Sequence, residues 1–237
     1  MNTDKSHTFL TRTLSQADIS VQEIEASRYA VLRRIAPCLR HHMVRHLQPI
    51  SMIYEVMDHK LSTPRPDLPT IHRNADKINH FARAALDQCI DISTWLAPER
   101  ERVIPLGGGV RECVELMVSN LNFRGFQLVN EAGNIGLLVR RDALRMVLIA
   151  AFLAATDALD EPARVVITAT AGDQNYVTLA MVVEPTDGGH AESYDDGYRK
   201  LLWRDVEVLA AADDVFLSLQ KNRLTMSFAV EPVPVKH

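Results

Sequence analysis

His41, His42 and His46 stand close together, with Cys38 just upstream. Imidazoles are the side chains best suited to nucleophilic, acid–base and metal-binding work near neutral pH. Which of these a given ring can do depends first on whether its element buries it. The stretch Ile35 to Met57 carries apolar residues Leu39, Met43, Ile50, Ile53 and Met57 at steps of three, four and seven, which predicts an amphipathic helix. At about 100° per residue, His41 falls about 200° from both Leu39 and Met43. A helix that buries those two therefore presents His41 to solvent, where an imidazole with no packing duty is a candidate for chemistry. His46, three residues after Met43 and four before Ile50, falls on the apolar seam and reads as a packed histidine. Cys38, His42 and His46 are spaced as a transition-metal site can be, yet a structural zinc takes four ligands and no carboxylate lies nearby in the sequence.

The neighbourhood of His41 is one-sided in charge. From Ala26 to Tyr54 there is no Asp or Glu, while Arg28, Arg33, Arg34, Arg40 and Arg45 all fall within or beside that span. The helix is thus expected to be cationic around His41 and to favour an acidic or phosphorylated partner. Pro49 removes a backbone hydrogen bond to Arg45 and is expected to bend the helix near His41.

The elements that must position these residues follow from periodicity. Helical spacing runs from Val21 to about Leu61, a rod of roughly 60 Å. Ser62 to Pro69, with three prolines, breaks it. A second helix carries Ile71, Ala75, Ile78, Ala82, Ala85, Cys89, Ile92 and Leu96 at strictly alternating steps of four and three, a heptad seam. Two such helices form an antiparallel hairpin that cannot cover its own apolar face, so pairing with a second copy into a four-helix bundle is expected.

After the polar linker Ala97 to Arg102 the pattern changes. A strand is expected at Val103 to Leu106, a turn at Gly107 to Gly109 and a helix from Val110 to Leu121. Strands at Phe126 to Asn130 and Ile135 to Val139 precede a helix from Arg141 to Leu159. Arg164 to Thr170 and Tyr176 to Val183 read as a hairpin, and Pro185 to Gly197 as a loop. A helix from Tyr198 to Ala212 and a hairpin of Val215 to Leu219 with Leu224 to Val230 complete the series. This order predicts an α+β chain: a flexible stretch 1–20, a helical hairpin 21–98, and a sandwich 103–232 of one mixed sheet with helices on one face.

Composition bounds the rest. A chain of 237 residues that is 47% hydrophobic can bury a substantial core. Its net charge of −4 argues against a general nucleic-acid binder. No apolar run reaches the roughly 18 residues that span a bilayer, so no membrane segment is expected. The opening MNTDKSHTFLTRTL lacks a continuous apolar region, so no secretory signal is expected either. Cys38, Cys89 and Cys113 are odd in number and widely spaced, which points to reduced thiols in a cytoplasmic protein.

The ordered pieces resemble a two-component histidine kinase core. HHMVRHLQPI from His41 looks like the family's His box, RDALRMVLIAAFLAATDAL like the helix bearing its Asn box, and LAMVVEPTDGG like the strand entering its adenine-binding motif. The resemblance implies a dimerising hairpin followed by a GHKL-type, or Bergerat, ATPase sandwich. It also implies that the magnesium-holding asparagines are replaced by Ala150 and Ala154. The adenine-binding Asp falls near Glu184, with Asp187, Gly188 and Gly189 displaced, and Gly197 alone represents the second glycine motif. A methyl group coordinates no cation, so no bound ATP or other cofactor is expected. In the His box, the acid that normally follows the histidine is His42, and the residue four positions on, which orients water in phosphatase-competent members, is Arg45.

What survives matches a histidine phosphotransfer protein built as a degenerate kinase. In that reading His41 relays a phosphoryl group between receiver-domain aspartates. Arg40, His42 and Arg45 face the partner, and the receiver supplies magnesium. Response-regulator receivers, and a hybrid sensor kinase, are the implied partners of a homodimer. The alternative is a pseudokinase scaffold that binds a receiver or a sensor kinase without being phosphorylated.

Overall fold

The computed structural model describes residues 19–97, 102–172, 175–186 and 198–233. The chain divides into two compact units: Met1–Arg34 with Arg100–His237, and Ile35–Glu99. The long first helix, α1 (Val21–Leu61), thus contributes its beginning to one unit and the remainder to the other.

The Ile35–Glu99 unit is helical. α1 runs without interruption through Pro37 and Pro49, although each ring deprives a preceding carbonyl of its backbone donor. It ends where Ser62 and Thr63 turn back onto the carbonyls of Asp58 and Lys60. α2 (Leu68–Leu96) begins at an N-cap, Asp67, whose carboxylate accepts the Thr70 N–H at 3.3 Å. Pro69 therefore belongs to the first turn of α2, where its missing N–H costs nothing, and the break between the helices is shorter than its three prolines suggest. The heptad seam of α2 splits in two. Ile71, Ile78, Ala85 and Ile92 are withdrawn from solvent, whereas Leu68, Ala75, Ala82, Cys89 and Leu96, each seven residues from the next, are exposed. α1 repeats the division, with Met43, Ile50 and Met57 half-buried and Leu47, Tyr54 and Leu61 exposed at the same spacing.

The other unit is a mixed sandwich. Its main sheet has the order β2 (Phe126–Glu131), β4 (Ala163–Ala171), β5 (Tyr176–Pro185), β7 (Arg223–Ala229), β6 (Phe216–Gln220), with only the β2–β4 pair parallel. Strict alternation aims Val165, Ile167, Leu179, Met181, Leu224, Met226 and Phe228 at one face, where they are buried. α3 (Leu106–Phe123), α4 (Arg141–Asp157) and α5 (Trp203–Ala212) complete the layer, and α4 is buried along its length from Ala143 to Asp157. The alanine-rich turns of α4 allow that, because a helix hydrophobic all round belongs inside.

Two expectations are corrected here. The expected single sheet is two, since β1 (Val103–Pro105) pairs only with β3 (Leu138–Arg140) in a separate antiparallel ribbon. Gly107 to Gly109 form no turn but the first turn of α3. Two of them are glycines because of what they touch: a Cβ at Gly107 would stand 2.5 Å from the Gly133 carbonyl oxygen, and one at Gly109 would overlap the Leu144 side chain, whereas Gly108 has room for one. The close approach lets the Gly107 N–H reach the Ile135 carbonyl at 3.0 Å and the Leu106 N–H reach Leu137 at 2.9 Å.

The start of α1 is bound to the sandwich by charge. A reciprocal Ser20–Glu23 capping box opens it. Further along, the Ser27 hydroxyl donates to Asp205 at 2.9 Å, Arg28 lies 3.8 Å from Asp213, and Arg204 donates to Glu23 at 3.1 Å. Deepest is Arg34, whose two terminal nitrogens grip the Asp157 carboxylate, one of them at 2.8 Å. Asp157 also accepts from Arg124 at 3.0 Å and from the Leu201 N–H at 2.8 Å. Burial alone would raise the Asp157 carboxyl, but the Arg34 hydrogen bond, the Leu201 amide and the two guanidinium charges outweigh it and hold it below the ordinary range. Asp205 behaves alike: Arg199, the Leu202 N–H and Ser27 overcome burial.

Asp157→Ala removes the carboxylate that two buried guanidiniums share and is expected to cost about 3–5 kcal/mol in urea unfolding. Gly107→Ala is expected to cost about 1–3 kcal/mol, since backbone must move to admit one methyl. The two lowered carboxyls stabilise the fold above the ordinary carboxylate value of about 4, and that contribution is lost as pH falls through their folded-state values. Asp213, raised chiefly by burial, has the opposite slope. A urea midpoint that declines below about pH 4–5, and declines less steeply in Asp157→Asn, is the expected result.

Candidate functional site

α1 places His41 at the surface, as its angle from Leu39 and Met43 requires: Leu39 is buried, Met43 half-buried and His41 exposed. The ring meets that of His42 edge-on, with centroids 6.3 Å apart and planes inclined at 75°. His42 is half-buried, as is His46 on the seam. Residues three and four positions from His41 share its side of the helix. They are Pro37, Cys38, Val44 and Arg45, none of them an acid.

Arg40 and Arg45 are both exposed, and among the described residues neither appears in an ion pair. Of the broader cationic stripe expected from Arg28 to Arg45, Arg33 is exposed and lies over the Tyr198 ring at 5.8 Å, a contact that leaves its charge in place, whereas Arg28 and Arg34 pair with sandwich carboxylates. Their counter-charges come from Asp213 and Asp157, far along the chain, which is why the acid-free run of α1 concealed them. His41 is thus an outward imidazole with exposed arginines one residue before it and four residues after it in the sequence, Arg45 on its own side of the helix, able to attract an anion and to offer it a nitrogen nucleophile.

Among the described residues, no three His, Cys, Asp or Glu side chains stand close enough together to hold a metal ion. Cys113 is buried, and burial pushes its thiol up to about 12, so it is no nucleophile at neutral pH. Cys89 lies exposed on α2. No described helix is long and apolar enough to cross a membrane.

The positions that the resemblance assigns to a nucleotide site are distributed as follows. Ala150 and Ala154 lie in the buried core of α4, 0% and 1% exposed. Glu184 is near the end of β5, paired in register with Arg164 of β4. Asp187, Gly188, Gly189 and Gly197 fall outside the described residues. Asp157, near the end of the segment that resembles the Asn-box helix, is the residue sequence reasoning missed. The available signal was an acid after an eleven-residue run, Met146 to Thr156, that holds no charge, a place where a charge survives only with partners.

No protein-family profile matches the chain, and no curated protein sequence matches it. Comparison with solved structures finds a histidine kinase from Burkholderia phymatum STM815, 15% identical, with a TM-score of 0.41 over 90% of this chain and 98% of that one. The Acinetobacter baumannii histidine kinase AdeS matches at 12% identity and a TM-score of 0.40, over 79% of this chain and 96% of its own. A structure described as a bacterial phosphotransferase matches at 11% identity and 0.39, over 89% and 97%. Superpositions at this level transfer neither residue roles nor activity to the present chain.

Proposed function

We propose that this protein is a homodimeric histidine phosphotransfer protein that relays a phosphoryl group through His41 between receiver-domain aspartates, without binding ATP. The observation that carries the reading is the exposed His41 imidazole, flanked in sequence by Arg40 and Arg45, two exposed arginines without an ion pair among the described residues. In the forward step an imidazole nitrogen attacks the phosphorus of an aspartyl phosphate, the acyl phosphate P–O bond breaks, and the aspartate leaves as a carboxylate. The imidazole proton passes to solvent, and the return step reverses the sequence onto a second receiver. Such transfer needs in-line approach and charge stabilisation more than a general base. Arg40 and Arg45 supply the second from this side, while the receiver brings its own magnesium. His42, edge-on to His41, limits the directions in which the reactive ring can turn.

The absence of ATP chemistry in this reading rests on residue types. Ala150 and Ala154 offer methyl groups where a nucleotide-bound magnesium needs oxygen or nitrogen donors. Homodimerisation is supported by the two exposed rows at heptad spacing, Leu47–Tyr54–Leu61 on α1 and Leu68–Ala75–Ala82–Cys89–Leu96 on α2. A second copy presents the same rows, and a four-helix bundle is the arrangement in which both become interior.

The second reading, a scaffold that binds a receiver or a sensor kinase without being phosphorylated, draws on the breadth of that apolar surface. Val44, Met52 and Val56 are exposed on α1 beyond the two rows, and Ile90 on α2. The readings separate on one assay. A receiver charged with radiolabelled phosphate is expected to pass acid-labile, base-stable label to the wild-type chain and to His42→Ala, but not to His41→Ala. No label on any of the three assigns the scaffold role. Arg45→Glu, by reversing charge one turn from the nucleophile, is expected to slow transfer by roughly ten- to a hundredfold. Leu47→Glu with Leu68→Glu is expected to convert the dimer to monomer in analytical ultracentrifugation, since each would bury a charge at the joint.

A further inference from the structure

Away from His41, the sandwich holds a cavity of about 310 Å³ bounded by the end of α4, the start of β4, the end of β5, the β6–β7 turn and the first residue of α5. It exists because its walls are cut short: Ala155, Ala158 and Ala163 face it with nothing beyond a methyl. The half-buried indole of Trp203 forms one side, and the buried Met181 and Leu224 lie behind.

Its polar groups are few, and those of Asn222 and Val183 are paired with each other. The Asn222 amide donates to the Val183 carbonyl at 3.0 Å, and the Val183 N–H returns a bond to the Asn222 carbonyl at 3.0 Å. The charged rim consists of one Glu161 and one Lys221, which cancel. The adjoining N-terminus of α5 is not open to an anion, because the Asp205 carboxylate already takes the Leu202 N–H at 2.9 Å. Water gains little in a space with so few free partners, and a phosphate finds no cluster of donors.

We propose that this cavity binds a small, uncharged aromatic molecule that stacks on Trp203. Its volume is at the lower end for small-ligand sites, and its apolar lining with few polar groups is what such sites present. The site is separate from His41, so a failure of the probe to bind would leave phosphotransfer there untouched, whereas displacement by nucleotide would also count against the reading without ATP.

The neutral fluorophore N-phenyl-1-naphthylamine tests it on the full chain. Saturable one-to-one binding is expected, with energy transfer from tryptophan that is lost in Trp203→Phe and kept in Trp95→Phe. Ala158→Phe puts a ring at the lining from an exposed position, and with an unchanged urea midpoint as the check on folding it is expected to weaken binding at least roughly tenfold. Binding that never saturates, or that Ala158→Phe leaves unchanged, overturns the proposal. So does displacement of the probe by micromolar magnesium-ATP, which would make the cavity part of a nucleotide site.

Discussion

A single buried carboxylate, Asp157, holds together segments that lie far apart in the chain. It receives Arg34 from α1, Arg124 from just after α3 and the Leu201 amide from just before α5. A buried ion pair is a poor source of net stability, because desolvation consumes most of the attraction. It is a strong source of uniqueness, since any arrangement that separates these groups leaves a charge in the core without a partner. This pin, with Asp205 and Asp213 beside it, is why the beginning of α1 belongs with the sandwich and not with the helices that follow.

That division bears on function. Arg28 and Arg34 are committed to fold maintenance, while Arg40 and Arg45 are the exposed arginines nearest to His41 in the sequence. The helical unit has its own unfinished business in two apolar rows at heptad spacing. In the proposed reading, the exposed nucleophile and the local positive charge serve a phosphoryl carrier, and the two rows serve its pairing. Ala150 and Ala154 of α4, which that reading sets against metal-holding residues, are methyl-bearing and packed.

Much of this was legible in the sequence because periodicity is local. The 3.6-residue repeat located α1 and α2 and turned His41 outward, and alternation located β4, β5 and β7. What escaped was non-local. The partners of Arg34 and Ser27 lie 123 and 178 residues away, beyond any motif. The triple glycine looked like a turn because the loop and the Leu144 side chain that demand small residues there are brought close only by tertiary packing. β3 begins at Leu138, and the expected Ile135 start is taken by loop carbonyls that serve α3 instead. The final helix starts at Trp203, where Asp205 caps it, later than its apolar pattern implied. The heptad spacing of α2 was legible, but only the fold distinguishes the half that the chain withdraws from solvent from the half it leaves exposed.

The most direct measurement is a phosphorus-31 NMR spectrum of the full chain mixed with a receiver domain that is kept charged by acetyl phosphate. One phosphoramidate resonance, abolished by His41→Gln and discharged when a second, uncharged receiver is added, is the predicted result. A spectrum with no phosphoramidate signal, or one that survives the loss of His41, contradicts the account.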